Sequence, residues 1–343
     1  SILVLVAVRI VMPTFAVTGA NGFIASHVVS KLVDSGYCVR ATVRDAHDTD
    51  KTAHLRSLGD RVEIVTVKSL RDKDAVCKVF SGCDGIFHMA SVHPEYGFKD
   101  TPGGTDELVD FAVNATTTVL EAAAEVGVKR VVLTSSLAAI ECGNDDVDLR
   151  EDMWSKEEAF NKKASDPTQW KTHFAYVKSK TRQEQAAWAT AERLGLDMRV
   201  LVPGNLCIGP MLSSHINGTM TRIRDIMQGT NTLTGSADLG VVHASDVAEA
   251  HVAAMAKDSA NGRYIISQDM VTLEVVFDTL RSLYPHMPVA TMSNMDYSSG
   301  VPGKARKIHS RAEAELGLKL AGHERTLKDA VDSMIEKKVI PVA

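Results

Sequence analysis

Tyr176 and Lys180 stand four residues apart in the stretch HFAYVKSK, which covers residues 173–180. Residues at i and i+4 share one face of an α-helix, so both side chains can project toward one point. A tyrosine phenol, with a pKa of about 10, is a poor proton donor at neutral pH. An ammonium about 5 Å away, at an effective dielectric near 20, favours the phenolate by roughly 3 kcal/mol, or about two pKa units. The spacing therefore predicts a proton donor whose pKa is lowered by Lys180.

Ser136 is the candidate third catalytic group. It stands in LTSSLAA, where the apolar run RVVLTS (130–135) ends. In a parallel sheet, the carboxyl end of a central strand faces the cleft where ligands bind. A hydroxyl there can hydrogen-bond a substrate carbonyl and stabilise the alkoxide that develops on it. Together with Tyr176 and Lys180, this serine predicts carbonyl reduction or the reverse oxidation of an alcohol.

Short apolar runs alternate with helical segments from residue 14 onward. The runs are rich in β-branched residues and read as buried strands at 14–18, 38–43, 62–67, 85–90, 130–135 and 198–203. Strands that alternate with helices imply βαβ units and a parallel sheet with helices on both faces. The predicted fold class is therefore α/β, a Rossmann-type doubly wound parallel sheet.

The stretch VTGANGFIASH lies where the first predicted strand meets the first helix. Gly19 permits a tight turn. Gly22 lets the backbone approach a pyrophosphate at the helix N-terminus, where amide donors and the helix dipole favour anions. Ala25 takes the place where a small residue lets the helix pack close to the strand. A glycine pair alone is also compatible with a simple turn, but its position between strand and helix predicts a dinucleotide site.

The end of the second strand indicates which dinucleotide binds. A carboxylate there would bind the adenosine ribose diol and repel a 2′-phosphate. The stretch RATVRD instead places Val43 at that position, followed by Arg44, whose guanidinium suits a phosphate. Lys51 is a candidate second cation, and the alternative interpretation is a solvated pair of Arg44 with Asp45. We expect NADP(H) rather than NAD.

After Pro203 the pattern changes. Residues 204–219 are rich in Gly, Ser and Asn and predict a loop that leaves the sheet. A helix capped by Ser245 or Asp246 follows, then one more strand at 262–267, and the tail holds a helix with a single apolar face. We expect residues 12–204 to form the NADP-binding domain, with 241–268 returning to it. Residues 205–343 are expected to form a smaller, mostly helical C-terminal lobe that binds the substrate.

Composition narrows the class of protein. The net charge of −5, without a basic cluster interleaved with aromatics, argues against nucleic-acid binding. Five cysteines without CxxC or ligand-like spacing with histidine favour a reducing cytosol over a disulfide framework and argue against a metal site. The apolar run in residues 1–11 is short and interrupted by Arg9, so we expect no membrane span. That segment is interpreted as an extension before a functional start near Met12, the alternatives being an extra strand or a membrane-contacting arm.

The motifs TGANGFIA, VRATVRD, FHMAS, VLTSS, YVKSK and VHASDVAEAH occur in the order typical of extended short-chain dehydrogenase/reductases. From Phe15 to Ile340 the chain resembles their dihydroflavonol 4-reductase, cinnamoyl-CoA reductase and yeast-type aldehyde/ketone reductase branch. The resemblance implies a catalytic triad of Ser136, Tyr176 and Lys180. It also implies cofactor contacts around Gly19, Gly22, Phe23, Ile24, Arg44, Lys51, Leu70, Ala90, Tyr176, Lys180 and Pro203.

This sequence departs from the family pattern at several places. Ser69 stands where the third strand usually ends in an aspartate that contacts the adenine, and PGNLCIGP is one residue longer than usual. Ala112, not Asn114, aligns with an asparagine that some relatives use. The asparagine-tryptophan-tyrosine-cysteine block of cinnamoyl-CoA reductases is absent, which disfavours a CoA thioester substrate.

The function predicted from these features is an NADPH-dependent aldehyde or ketone reductase, reversible as an alcohol dehydrogenase. Its partner is a small-molecule carbonyl or alcohol, and the protein is expected to be a cytoplasmic monomer or homodimer. One alternative is a nucleotide-sugar epimerase or dehydratase that retains NAD. Another is an NADP-sensing binding module without catalysis. His243, Asp246 and His251 resemble metal-ligand spacing, but we interpret them as part of a packed helix, and His88 as a hydrogen-bonded core residue.

Overall fold

A computed structural model of the chain describes residues 12–91, 104–159, 171–216, 218–230, 237–291 and 304–341. The N-terminal segment 1–11 and His93, a candidate substrate contact, lie outside these residues. The strands are β1 (Thr14–Thr18), β2 (Cys38–Val43), β3 (Val62–Thr66), β4 (Gly85–His88), β5 (Arg130–Thr134), β6 (Leu149–Arg150), β7 (Asp197–Pro203), β8 (Leu206–Ile208), β9 (Asp238–Leu239), β10 (Val241–His243), β11 (Gly262–Ile266), β12 (Val271–Thr272) and β13 (Ile308–His309).

The helices in the same ranges alternate with these strands. They are α1 (Phe23–Asp34), α2 (Thr49–Arg56), α3 (Lys73–Phe80), α4 (Gly104–Glu125), α5 (Lys171–Leu194), α6 (Gly218–Met227), α7 (Ala244–Ala256), α8 (Leu273–Leu283), α9 (Ala312–Leu316) and α10 (His323–Glu336). No helix among the described residues is both long and apolar enough to cross a membrane.

Seven parallel strands of the described chain form the central sheet, in the order β11-β7-β5-β4-β1-β2-β3. The order reverses between β1 and β4, and a crevice for ligands opens at the carboxyl ends of the strands at such a point. The strands are apolar on both sides because helices cover both faces. The predicted Rossmann-type fold class is confirmed.

Two apolar cores lie on opposite faces of this sheet. One is built by α1, α7 and α9, and the other by α3, α4 and α5. A third core lies in the C-terminal part of the chain, between α6, α8, α10 and the short strands β8 to β10. In α10 the predicted apolar face is buried through Leu327, Ala330, Val331 and Met334. Strand β11 pairs with β7, so this late segment adds to the main sheet.

Two local predictions were wrong. The stretch 204–219, predicted as a loop, contains β8, whose three buried residues pair in parallel with β10. Its three apolar residues, Leu206–Ile208, were not recognised as a strand because glycines and serines flank them in the sequence. The cap of α7 is neither Ser245 nor Asp246. It is His243, whose Nδ1 accepts the backbone N–H of Ser245 at 3.1 Å.

Candidate active site

Ser136 and Tyr176 meet at the carboxyl end of β5. The chain leaves β5 through Ser135 and enters a 3-10 turn at Leu137–Ala139, with Ser136 as its N-cap. The Ser136 Oγ accepts the N–H of Ala138 at 3.2 Å, and the same side chain hydrogen-bonds the phenol of Tyr176. Both side chains are half-buried at the crevice. The pair can therefore share one substrate oxygen, as the sequence pattern predicts.

The phenol of Tyr176 has a pKa raised above its ordinary value. Burial is the largest cause, and it outweighs the Ser136 hydrogen bond, which lowers the pKa. The Lys180 ammonium donates to other partners in the protein alone, and the lowering of the Tyr176 pKa by Lys180 stays a prediction.

Lys180 lies one helical turn after Tyr176 and is only 2% exposed. Its Nζ donates to the backbone oxygen of Thr134 at 3.1 Å and to the Oε1 of Gln183 at 3.0 Å. Burial lowers the pKa of Lys180 to about 8, and the nearby Glu184 carboxylate opposes this shift. The ammonium is thus held in a buried position below the crevice, at the carboxyl end of β5.

The glycine turn between β1 and α1 has the geometry that a dinucleotide needs. Gly19 has a φ of +64°, and a Cβ there would lie 3.0 Å from Ala90 Cα. The Gly22 N–H donates to the Gly19 oxygen at 2.9 Å, and no side chain caps α1. The N–H groups of Phe23 and Ile24 lie in the first turn of the helix, where backbone donors have no partner within the helix, and such donors suit a pyrophosphate. The residues present fit the predicted cofactor.

At the end of β2, Val43 is buried and Arg44 is exposed. No ion pair joins Arg44 to Asp45, and the Asp45 carboxylate accepts the N–H of His47 at 2.8 Å. Arg44 has no carboxylate partner among the described residues. The guanidinium is thus available to an anionic group on a ligand.

Lys51, the second predicted cation, is already paired. Its Nζ lies 2.8 Å from the Asp48 carboxylate, which also caps α2 by accepting the Lys51 N–H at 3.1 Å. Since Lys51 shares its charge with Asp48, Arg44 is the stronger candidate for a 2′-phosphate.

The remaining predicted cofactor residues border the same edge of the sheet. Leu70 is half-buried after β3, Ala90 faces Gly19 after β4, and Pro203 ends β7 opposite Ile266 of β11. The Ser69 hydroxyl, which replaces the family aspartate, accepts the N–H of Arg71 at 3.2 Å. A serine oxygen there carries no charge, so any adenine contact is weaker than that of a carboxylate.

A buried ion pair behind the triad escaped the sequence reasoning. Glu184 is 1% exposed, and its Oε1 lies 2.6 Å from the Nε of Arg263 on β11. Its other oxygen accepts the Ser135 hydroxyl at 2.5 Å, and Trp188 donates to Oε1 at 3.1 Å. The cluster ties α5 to β5 beside Ser136. The spacing of Tyr176, Lys180 and Glu184 by four residues was the available signal.

A second polar cluster lies beside Tyr176. Glu141 faces the Tyr176 phenol, and burial raises the pKa of this carboxyl group. Asn205 donates to Glu141 Oε2 at 3.1 Å, and Arg306 forms a bidentate pair with Asp238. These contacts join the loop after β7 to the segment 304–309 across the site. No sequence motif indicated them, because the partners are distant in the chain.

The three residues with metal-ligand spacing have separate partners. His243 caps α7, the Asp246 carboxylate accepts the N–H of Ala321 at 2.7 Å, and His251 contacts Thr134 Oγ1 at 2.8 Å. His88 is buried, with hydrogen bonds at both ring nitrogens, as predicted. Asn114 is exposed and Ala112 is buried, so neither provides a polar group at the triad.

A glycine turn at the switch point of a parallel sheet, beside a serine, a tyrosine and a buried lysine, defines a class of protein: an oxidoreductase built on a nucleotide-binding fold. Residues 15–267 match the model of the NAD dependent epimerase/dehydratase family, and the chain belongs to that family. The predicted resemblance to extended short-chain dehydrogenase/reductases and the oxidoreductase class are confirmed.

Several reductases are similar to this chain over nearly its full length. "Cinnamoyl-CoA reductase 2" of Arabidopsis thaliana is 34% identical over 331 residues, covering 95% of this chain and 93% of that protein. "Tetraketide alpha-pyrone reductase 1" of Arabidopsis thaliana is 32% identical over 328 residues, covering 94% and 95%. Among solved structures, vestitone reductase from alfalfa (Medicago sativa) superposes with a TM-score of 0.78 at 23% identity, covering 95% and 99%. Yeast methylglyoxal/isovaleraldehyde reductase Gre2, solved with NADPH, gives 0.77 at 23% identity, with the same coverage.

Proposed function

We propose that this protein is an NADPH-dependent reductase of an aldehyde or ketone, reversible as an alcohol dehydrogenase. The observation that carries the proposal is the hydrogen bond between Ser136 and Tyr176 at the end of β5, one helical turn from the buried Lys180. The uncapped N-terminus of α1 supports a dinucleotide at the same edge of the sheet. The reductases among its relatives support the same chemistry.

NADPH, when bound, supplies the hydride that the carbonyl carbon receives. Ser136 donates a hydrogen bond to the carbonyl oxygen and stabilises the charge that develops there. Tyr176 transfers its phenolic proton to the same oxygen. Lys180 holds the nicotinamide ribose, and its positive charge favours the phenolate that remains. Gly19, Gly22, Phe23 and Ile24 hold the pyrophosphate, while Arg44 binds the 2′-phosphate.

The substrate enters between the carboxyl edge of the sheet and the C-terminal lobe, residues 205–343, which we propose as the substrate-binding part. We expect a free aldehyde or ketone rather than a CoA thioester. The block typical of cinnamoyl-CoA reductases is missing, although proteins of that name are among the relatives. No disulfide joins any of the five cysteines, which is consistent with a reducing compartment such as the cytosol.

A screen of NADPH consumption tests the proposal. Purified protein is assayed with aliphatic aldehydes, aryl ketones, α-dicarbonyls, dihydroflavonols and CoA thioesters, and each rate is compared with that of the Tyr176→Phe variant. Consumption of NADPH by at least one carbonyl class, lost in the variant, supports the reductase. If no carbonyl is reduced and the protein purifies with NAD bound, the epimerase or dehydratase alternative replaces it.

A further inference from the structure

Two acceptors hold the Lys180 ammonium, and only one of them is a side chain. An ammonium has three N–H donors. One goes to the backbone oxygen of Thr134 and one to the Oε1 of Gln183, at 3.1 and 3.0 Å. No third acceptor for this Nζ occurs among the described residues. Gln183 is 3% exposed, so its amide depends on protein partners for its own hydrogen bonds.

The lysine fixes the orientation of the Gln183 amide. Because an ammonium only donates, the Gln183 oxygen must face Lys180. The amide NH₂ then points the other way, to the hydroxyl of Thr116 on α4, at 2.7 Å. Both groups are buried. A turned amide would place NH₂ against the ammonium and leave both donors unsatisfied.

The Thr116 hydroxyl also ends a second series of hydrogen bonds, which starts next to the glycine turn. Thr18 Oγ1 lies 3.0 Å from the backbone nitrogens of both Met89 and Ala90, so it accepts twice. Its proton therefore goes to the Nδ1 of His88 at 2.9 Å. Burial lowers the pKa of His88 to about 3, so the neutral ring carries its one proton on Nε2. That N–H donates to Thr116 Oγ1 at 3.0 Å.

We propose that Gln183 is a positioning residue for the reaction. It holds the Lys180 ammonium through a connected chain of hydrogen bonds, in which Gln183 and His88 both donate to Thr116 and Thr18, the residue before Gly19, donates to His88. The chain leaves one N–H of the lysine for a ligand in the crevice. This inference rests on the proposed function for the role of Lys180. It adds a link between that lysine and the glycine turn, which hold opposite ends of the bound cofactor.

The neighbouring charges allow the effect of Gln183 to be isolated. On α5, Glu184 raises the pKa of Lys180, but it is paired with Arg263 of β11. Tyr176 lies on the same helix. From β4, His88 is neutral, and from α7, His251 has a pKa lowered by burial to about 4. None of these groups is itself replaced in the Gln183 variants, and none of them hydrogen-bonds the Lys180 ammonium directly.

The test compares Gln183→Met with Gln183→Glu. Methionine keeps the length of the side chain without the acceptor, whereas glutamate supplies a charged acceptor. The pKa of Lys180 is measured by NMR of lysine labelled with ¹³C at the ε-carbon, with Lys180→Met identifying the signal. We expect the pKa to fall by about one unit in Gln183→Met and to rise by a similar amount in Gln183→Glu. The alkaline limb of kcat/KM should move in the same two directions.

Gln185→Met is the matched control, because Gln185 is half-buried on the same helix and bonds to Arg182 rather than to the lysine. It should leave the Lys180 pKa unchanged. Thr116→Val is a second variant and should lower the Lys180 pKa, though by less than Gln183→Met. A Lys180 pKa that stays constant in both Gln183 variants, or moves the same way in both, overturns the inference. Full carbonyl reduction by Lys180→Met would instead overturn the proposed role of the lysine, while the NMR result still decides the role of Gln183.

Discussion

The Tyr176 phenol is the residue on which the proposed chemistry depends. It is hydrogen-bonded to Ser136, and burial raises its pKa, so it holds its proton at neutral pH until a substrate oxygen accepts it. In Tyr176→Phe the ring and its packing remain, but the proton donor is lost. We expect kcat to fall by about two to four orders of magnitude, the usual scale for a general acid.

The measurement is steady-state NADPH oxidation, with NADPH binding followed separately by fluorescence titration. The dissociation constant of NADPH should change little, because we expect the glycine turn, Arg44 and Lys180 to provide most of the cofactor contacts. Phe277→Tyr also changes a single phenolic hydroxyl, but in the core of the C-terminal lobe. Its turnover shows how far general destabilisation alone lowers the rate. Near-parent rates in Tyr176→Phe would mean that the proton comes from another group.

We expect Arg44 to set the preference between the two dinucleotides. It is exposed, without a carboxylate partner among the described residues, while Lys51 is paired with Asp48. We expect kcat/KM for NADPH to exceed that for NADH by at least about tenfold, equivalent to about 1.4 kcal/mol. Arg44→Ala should remove most of this ratio, mainly through KM for NADPH.

Lys129→Ala is the control for the loss of one positive charge, since Lys129 is exposed at the amino end of β5, the opposite edge of the sheet. It should keep the cofactor ratio of the parent. Equal use of NADPH and NADH by the intact protein would contradict the assignment of Arg44, and a large effect of Arg44→Ala on both cofactors would indicate a structural role.

At the scale of elements, α5 is joined to β5 and β11 by the buried pair of Glu184 and Arg263. Both are at most 8% exposed, and Arg263 also lies over the Trp154 ring at 4.1 Å. Removing one partner leaves a buried charge, so Glu184→Met should destabilise the fold by about 3–5 kcal/mol. The double variant Glu184→Met, Arg263→Met should recover much of that loss, because two apolar side chains replace the pair.

Urea unfolding of the two single variants and the double variant measures this coupling. Glu192→Met on the exposed face of the same helix is the control and should change the free energy of unfolding by less than about 0.5 kcal/mol. Strictly additive losses in the double variant would show that the two charges do not depend on each other.

The elements that the sequence predicted best are those with a continuous apolar pattern. The run 130–135 is rich in Val and Leu and became β5, and the apolar face of the tail became the buried side of α10. Strand β8 was missed because three residues are too few to establish a period, and its partner β10 lies more than thirty residues away.

Tyr176 and Lys180 of the triad could be placed from the sequence because their spacing puts them on one face of helix α5. The contacts of Lys180 and Gln183 could not be predicted, since Thr134 of β5 and Thr116 of α4 reach these two side chains only after the sheet has formed. The raised pKa of Tyr176 could not be predicted either, because burial is its largest cause. Spacing indicates a nearby charge, but the extent of burial depends on packing from distant parts of the chain.

At the scale of the whole molecule, histidines whose pKa values are lowered by burial make stability depend on pH. Burial lowers the pKa of His27 to about 4, of His88 to about 3 and of His251 to about 4. In the unfolded chain each returns to an ordinary value near 6.5. Between about pH 6.5 and 4 the unfolded state therefore binds more protons than the folded state, and stability falls as the pH falls.

From pH 7 to 5.5 this loss amounts to about 1 kcal/mol for each of these three histidines, or about 3 kcal/mol from the three together. Burial also lowers the pKa of His54 and of His243, which adds to the loss. Urea unfolding at a series of pH values measures it. His251→Gln should remove about 1 kcal/mol of the loss, because glutamine binds no proton. Glutamine can still accept from Thr134 Oγ1 and donate to the backbone oxygen of Val247, which His251 now contacts at 2.8 and 2.7 Å. His286→Gln, at an exposed position, should keep the full pH dependence of the parent. A stability that stays constant from pH 7 to 5.5 would mean that these histidines already titrate in the folded protein, and the hydrogen bonds assigned to neutral His88 would have to be revised.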